Sequence, residues 1–179
     1  MSRIELTSPD QITDERAETL AQIKGAFGLV PNMFKAVAHS PAALRSMWAQ
    51  FGALGNGALG AKTGEMIAVA VADQNRCDYC LSAHTVLGKK AGATAEQMSN
   101  AQSGRSDDPR TAAVLTFATT LVEKRGQIAD SDVQAARDAG LTQEEIVETV
   151  AHVALNVFTN YINVALDVPV DFARVSLTR

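Results

Sequence analysis

The sequence predicts an all-α protein built as one helical bundle over its 179 residues. Three observations predict it. No segment alternates apolar and polar residues convincingly enough to read as a strand, whereas apolar residues recur at helical spacing along the chain. Helix-start signals recur as well: Ser40-Pro41, Thr94 with Gln97, Asp107-Asp108-Pro109, and Thr142 with Glu145. Alanine is abundant and aromatic residues make up only 5%, a composition suited to helices packed closely through small side chains. No linker or low-complexity tract divides the chain. Residues 1–179 therefore read as a single domain, large enough to bury roughly 70% of its unfolded surface.

The elements follow in order. Gln11 to Gly25 reads as an amphipathic helix ending near its glycine, and Pro31 to Ala38 as a short helix. Ser40 caps a helix with proline at its first position, running to about Leu54, and Gly52, Gly55, Gly57 and Gly60 mark its end and a loop. Thr63 to Asp73 is helical, and a second helix starts within Cys77–Cys80 and runs to about Lys90. Thr94 opens a short helix to Ala101; Asp108-Pro109 opens another through Arg125. Asp130 to Ala139 is short, and Thr142 opens the long final helix through about Leu166. A faint repeat runs through this pattern. Ala91-Gly92-Ala93-Thr94 with Gln97 returns 48 residues later as Ala139-Gly140-Leu141-Thr142 with Glu145.

Charge and composition exclude several classes. A net charge of -4 argues against nucleic acid, which calls for a basic surface. No basic stretch followed by an apolar one opens the chain, so no secretory leader is expected and a cytoplasmic protein is. The longest uncharged run, Thr149 to Leu166, is broken by His152, Asn156, Thr159, Asn160 and Asn163. It is read as a buried helix, with no membrane partner expected.

The chemistry gathers at Cys77-Asp78-Tyr79-Cys80-Leu81-Ser82-Ala83-His84, which holds the only two cysteines and one of three histidines. Thiols at i and i+3 can close into a disulfide and reopen, carrying two electrons. Cys80 and His84 share a helix face at i and i+4, and both cysteines lie where a helix N-terminus favours an anion. Histidine and helix end together favour the thiolate, the reactive species. Glu65 stands twelve residues before the first cysteine, beside an apolar run. If the chain turns near residues 75–77, Glu65 lies roughly 15 Å back and His84 roughly 10 Å forward, an axial mismatch of about 5 Å. That is within reach of two side chains. Glutamate orienting histidine, and histidine activating thiol, is the nucleophile–base–orienter arrangement. Cys80 is then the activated thiol and Cys77 the partner that closes the disulfide.

Other readings compete. Cys77, Cys80 and His84, with Glu65 as a fourth donor, would serve as a zinc-binding structural or sensor module, although structural zinc sites usually recruit a second pair. Glu65 also suits a first-turn position favoured by the helix dipole. His39 is placed at a helix C-terminus. His152, Asn156, Asn160 and Asn163 fall at i, i+4, i+8 and i+11, a polar stripe that must face another helix, a subunit or a wet pocket. Met33, Phe34, Met47, Trp48 and Phe51 are read as core or interface.

Glu65, Cys77-Asp78-Tyr79-Cys80 and His84 resemble the core motif of the AhpD-like superfamily of alkylhydroperoxidases and carboxymuconolactone decarboxylases. Pro31-Asn32-Met33-Phe34 before His39-Ser40-Pro41, the run Glu65 to Val71, and Gly88-Lys89-Lys90-Ala91-Gly92 extend the likeness. It covers about residues 31–101 and points to the peroxidase-related branch. The resemblance implies an AhpD-like helical bundle, commonly trimeric or hexameric, that reduces organic hydroperoxides through its CxxC without a bound cofactor or metal. It also implies an external dithiol reductant, lipoyl-type or thioredoxin-like. The resembled peroxidases carry a histidine immediately before the second cysteine, where this chain has Tyr79, a candidate for that place in a proton relay. The alternative within the superfamily is a carboxymuconolactone decarboxylase-type lyase, whose members usually lack the cysteine pair.

Overall fold

The computed structural model describes residues 2–178, among which there are nine α-helices and no strand. They are α1 (Arg16–Phe27), α2 (Asn32–Val37), α3 (Pro41–Leu54), α4 (Gly60–Gln74), α5 (Asp78–Lys90), α6 (Ala95–Gln102), α7 (Pro109–Glu123), α8 (Asp130–Asp138) and α9 (Gln143–Ala165). The caps sit where the sequence places them. Ser40 Oγ accepts the Ala43 N–H and Asp108 Oδ2 the Thr111 N–H, each ahead of a proline at the first helical position. Thr94 and Thr142 both close reciprocal capping boxes.

Four boundaries move. Gln11 belongs to a separate 3-10 turn (Pro9–Gln11), and α1 begins only where Asp14 Oδ1 accepts the Arg16 N–H. That helix passes through Gly25 and stops at Gly28, which supplies the left-handed backbone (φ 81°). Gly52 likewise lies inside α3. Helix α4 starts at Gly60, three residues ahead of the expected Thr63, which places Glu65 in its second turn rather than its first. Helix α7 stops at Glu123, because Arg125 and Gly126 both turn left-handed.

Helix α4 is the axis of the molecule. Every residue from Met66 to Asp73 is buried, and the helix packs against α5, α6, α7 and α9. Such a fully enclosed helix reads in sequence as a continuous apolar run rather than a stripe. The outward face of α9 carries the exposed apolar residues Val147, Val150, Tyr161 and Val164. No helix among the described residues is long and apolar enough to cross a membrane.

Two irregular arms lie on the bundle. The N-terminal arm is held by the Arg3 N–H to Leu166 O (2.7 Å) and by His39, whose ring lies 2.7 Å from Glu5 O. His39 therefore anchors a strap as well as following α2. The C-terminal arm runs back across α2 and α5. The Asn32 N–H donates to Asp171 (2.8 Å), the Val175 N–H to Ser82 Oγ (3.1 Å), and the Thr178 N–H to buried Asp73 (2.9 Å).

Candidate active site

Helices α4 and α5 form a tight antiparallel pair. Asn75, Arg76 and Cys77 return their N–H groups to Val71, Asp73 and Ala72, with Arg76 in the left-handed region (φ 56°). This turn makes Cys77 the N-cap of α5: its Sγ accepts the Cys80 N–H at 3.2 Å. Sulfur at an N-cap sits at the positive end of the helix, where a thiolate gains most. Cys77 and Cys80 are joined as a disulfide, with Cα atoms 5.3 Å apart.

The antiparallel turn brings Glu65 and His84 together, Oε2 to Nδ1, at 2.7 Å. A carboxylate only accepts, so Nδ1 is the donor of this pair and Nε2 is the ring's other polar atom. His84 is buried and Glu65 is partly open. Gly88, one turn beyond His84, makes room for Met98 beside this pair. A β-carbon there would lie 2.4 Å from the Met98 methyl and 3.4 Å from Glu65 Cβ.

A cavity of about 300 Å³ opens above Cys80, with His84, Glu65 and Asn163 on its polar side. Cys77 is not among its lining residues. Opposite stand Phe27, Phe34, Trp48, Phe51 and Phe172. The first four form an aromatic cluster around Phe34, with Trp48 edge-on at 5.9 Å and Phe51 at 6.0 Å. Phe34 and Met47 are buried core, as expected, but Trp48 and Phe51 also wall this cavity. Tyr79 has its hydroxyl accepting the Met33 N–H (3.1 Å) and its ring edge-on to Phe172 (5.7 Å). Burial, foremost, pushes its phenol strongly upward, so it stays protonated.

The polar stripe of α9 faces inward. Asn163 donates Nδ2 to Cys80 Sγ at 3.1 Å, and Asn160 Oδ1 accepts from Asn75 (2.9 Å). The His152 ring rests on Gly64, where a β-carbon would approach it to 2.7 Å. His152 and Asn156 share a second cavity of about 70 Å³ with Glu65 and His84. Burial lowers the His152 pKa and keeps the ring neutral, against the pull of Glu148 and Glu65. Among the described residues, no three His, Cys, Asp or Glu side chains converge as metal ligands.

Three contributors have no role in the sequence reading: Phe27, beyond the expected helix end at Gly25, Phe172 and Asn163. Phe172 lies on an irregular arm with no periodicity to announce it. Asn163 was visible as a member of the stripe, but nothing in the sequence tells that its amide meets a sulfur.

The carboxymuconolactone decarboxylase family model matches residues 41–107, from the start of α3 past the end of α6. Among solved structures, the alkylhydroperoxidase AhpD core of an uncharacterized peroxidase-related protein from Ralstonia eutropha JMP134 superposes with a TM-score of 0.84. It shares 26% identity over 95% of this chain and 92% of that one. An uncharacterized peroxidase-related protein from Silicibacter sp. TM1040 gives 0.82 at 23% identity, covering 98% and 92%. The debrominase Bmp8 in complex with 2,3,4-tribromopyrrole gives 0.80 at 18%, covering 96% and 94%. Comparison with curated protein sequences gives no match. The family model thus covers the segment that holds Glu65, Cys77, Cys80 and His84, and the fold of the chain is similar to that of these peroxidase-related structures.

Proposed function

We propose that this protein is a thiol peroxidase that reduces organic hydroperoxides through a Cys77–Cys80 dithiol cycle. The observation that carries the reading is the disulfide-paired Cys80 facing an aromatic-lined cavity beside a Glu65-oriented histidine. In the reduced protein, Cys80 thiolate attacks the terminal oxygen of the hydroperoxide. The S–O bond forms as the O–O bond breaks, and His84, protonated by the thiol, returns that proton to the departing alkoxide. Cys80 is left as a sulfenic acid. The Cys77 sulfur displaces its oxygen as water and closes the disulfide. An external dithiol, lipoyl-type or thioredoxin-like, restores both thiols by two exchanges and becomes a disulfide itself. Glu65 keeps the His84 ring oriented, and the protonated Tyr79 shapes the wall. No cofactor or metal enters this scheme. The cycle suits a reducing compartment such as the cytoplasm, and the apolar outer face of α9 suits a homo-oligomer, a trimer or hexamer.

The cavity lining favours a substrate with a bulky apolar group over hydrogen peroxide, since its rings reward apolar burial. The test is intact mass of the reduced protein before and after one equivalent of cumene hydroperoxide. Loss of two hydrogens within seconds, faster than with hydrogen peroxide, supports the reading; no change over minutes overturns it. The family match keeps a lyase as the second reading. A lyase would still turn over with both cysteines replaced by serine, whereas a zinc module would show stoichiometric metal in the reduced protein.

A further inference from the structure

We infer that Asn163 is a catalytic residue of the dithiol site, its amide N–H stabilising the thiolate form of Cys80. The inference rests on the dithiol reading above but not on the identity of the oxidant.

Three observations place it. First, the contact is direct: Asn163 Nδ2 lies 3.1 Å from Cys80 Sγ, across 83 residues of sequence. Both groups are enclosed, Cys80 being 2% and Asn163 4% exposed, so water competes little for the sulfur. Second, the amide is already fixed. The same Nδ2 donates to Thr159 O at 3.0 Å, one turn back on α9. A donor held by its own helix meets developing charge with little reorganisation. Third, Asn163 Oδ1 is buried and has no hydrogen-bond partner among the described residues. Burying an amide with half its capacity unused is unfavourable. A packing role would be filled at lower cost by leucine, so the side chain is accounted for by its donor.

The donor also distinguishes the two sulfurs. Cys77 Sγ accepts a backbone N–H at the start of α5, a contact that any residue type at position 80 other than proline would supply. Cys80 Sγ receives a side-chain donor from α9 and faces the cavity. His84 removes the thiol proton, whereas Asn163 has no proton to exchange and holds the charge left behind. The two roles separate experimentally, because a neutral donor shifts the midpoint of ionisation without adding a titration of its own.

The test uses the full chain with Cys77→Ser, so that Cys80 is the only thiol. Its alkylation by iodoacetamide is followed by intact mass across pH. Asn163→Ala is expected to move the alkylation midpoint upward by about one pH unit, the scale of a lost hydrogen bond to a charged group. Asn163→Asp keeps the shape, removes the donor and adds a like charge, so its midpoint moves further upward. A merely structural role predicts the opposite order, with the isosteric aspartate close to wild type. In the two-cysteine chain, Asn163→Asp is also expected to shift equilibrium with a glutathione buffer at pH 8 toward disulfide by roughly tenfold or more, because the thiolate is the destabilised member. Midpoints unchanged in both folded variants, or aspartate matching wild type, overturn the proposal. A shifted midpoint in a protein inert to hydroperoxides leaves Asn163 its role and removes only the peroxidase reading.

Discussion

The turn joining α5 to α6 and the turn joining α8 to α9 are one local solution used twice, and only one of them carries chemistry. In the first, Ala91, Gly92 and Ala93 donate their N–H groups to Leu87, Lys89 and Gly88; in the second, Ala139, Gly140 and Leu141 donate to Ala135, Arg137 and Ala136. Gly92 and Gly140 take nearly the same left-handed backbone, φ 91° and 87°, and each turn ends on a threonine capping box. The copies diverge upstream. Helix α5 starts at Asp78 and buries Tyr79 through His84, whereas α8 starts at Asp130, one turn later by the shared register, and buries only Ala136. Position 77 corresponds to Arg125, 80 to Ile128 and 84 to Asp132. The cysteine pair thus sits on one additional helical turn, capped by a sulfur and pressed against α4, with His84 one turn further along. Turn geometry alone predicts none of it.

The largest effects should come from that extra turn. Cys80→Ser or Cys77→Ser is expected to abolish hydroperoxide-driven disulfide formation by intact mass, while fold and thermal midpoint stay close to wild type. Either variant still losing two hydrogens would contradict the pairing. Next comes His84→Gln, which removes the proposed proton carrier and should slow the step by roughly a hundredfold or more. Glu65→Gln keeps the reach but only weakens the orientation, for a loss of about tenfold. Stopped-flow oxidation rates measure both. A Glu65→Gln rate below that of His84→Gln would assign the carboxylate, not the ring, as the base.

A subtler contrast lies at position 88, glycine in the first copy where the second has Ala136. Helix α8 has room for a methyl; α5 does not, because Met98 and Glu65 lie against that position. Gly88→Ala is therefore expected to cost about 1–3 kcal/mol by overpacking and to loosen the Glu65–His84 pair. The outcome to look for is a lowered Tm together with slower oxidation. A lowered Tm with an unchanged rate would mean that Met98 absorbs the strain alone.

Much of this arrangement was legible in the sequence, and the residues show why. Caps are local, so Ser40, Asp108, Thr94 and Thr142 announced four helix starts correctly. Counting helical rise brought Glu65 and His84 within reach, because a short antiparallel turn leaves few alternatives. Boundaries failed where glycine was taken as a stop: Gly25 and Gly52 are tolerated inside helices, and termination at α1 needed the left-handed backbone of Gly28. Part of the cavity lining stayed hidden for a different reason. Phe172 and Asn163 reach the site from more than 80 residues away, and only tertiary packing decides what a stripe or an arm touches.

His152 shows how the second copy's helix serves the first copy's site. It sits on α9 but borders the small cavity shared with Glu65 and His84. Burial, the main cause, holds its pKa below 6.5. The unfolded chain then binds a proton more readily than the folded one. Its contribution to stability is complete above about pH 6.5 and is lost as pH falls toward the folded value. Urea unfolding at falling pH should show this decline, and His152→Gln should flatten it. A profile unchanged by the substitution would place the acid sensitivity elsewhere.

The smallest effect gives the sharpest test of the repeat. Thr94→Ala and Thr142→Ala each remove a hydroxyl that accepts the third helical N–H, from Gln97 at 3.1 Å and from Glu145 at 3.2 Å. If the turns are equivalent, each should cost about 1 kcal/mol, and the double variant the sum. One asymmetry works against equality. Glu145 is held below the usual carboxylate range, first by the Thr142 N–H and then by Arg110, whose Nη2 reaches both carboxylate oxygens, whereas Gln97 is neutral. With that clamp intact, Glu145 still binds the cap N–H after Thr142 is truncated, so the second turn should lose slightly less than the first. Arg110→Ala combined with Thr142→Ala removes the clamp and should bring the loss up to that of Thr94→Ala. Equal single losses would mean that the ion pair adds nothing to the cap, and that the two turns are energetically as alike as their backbones.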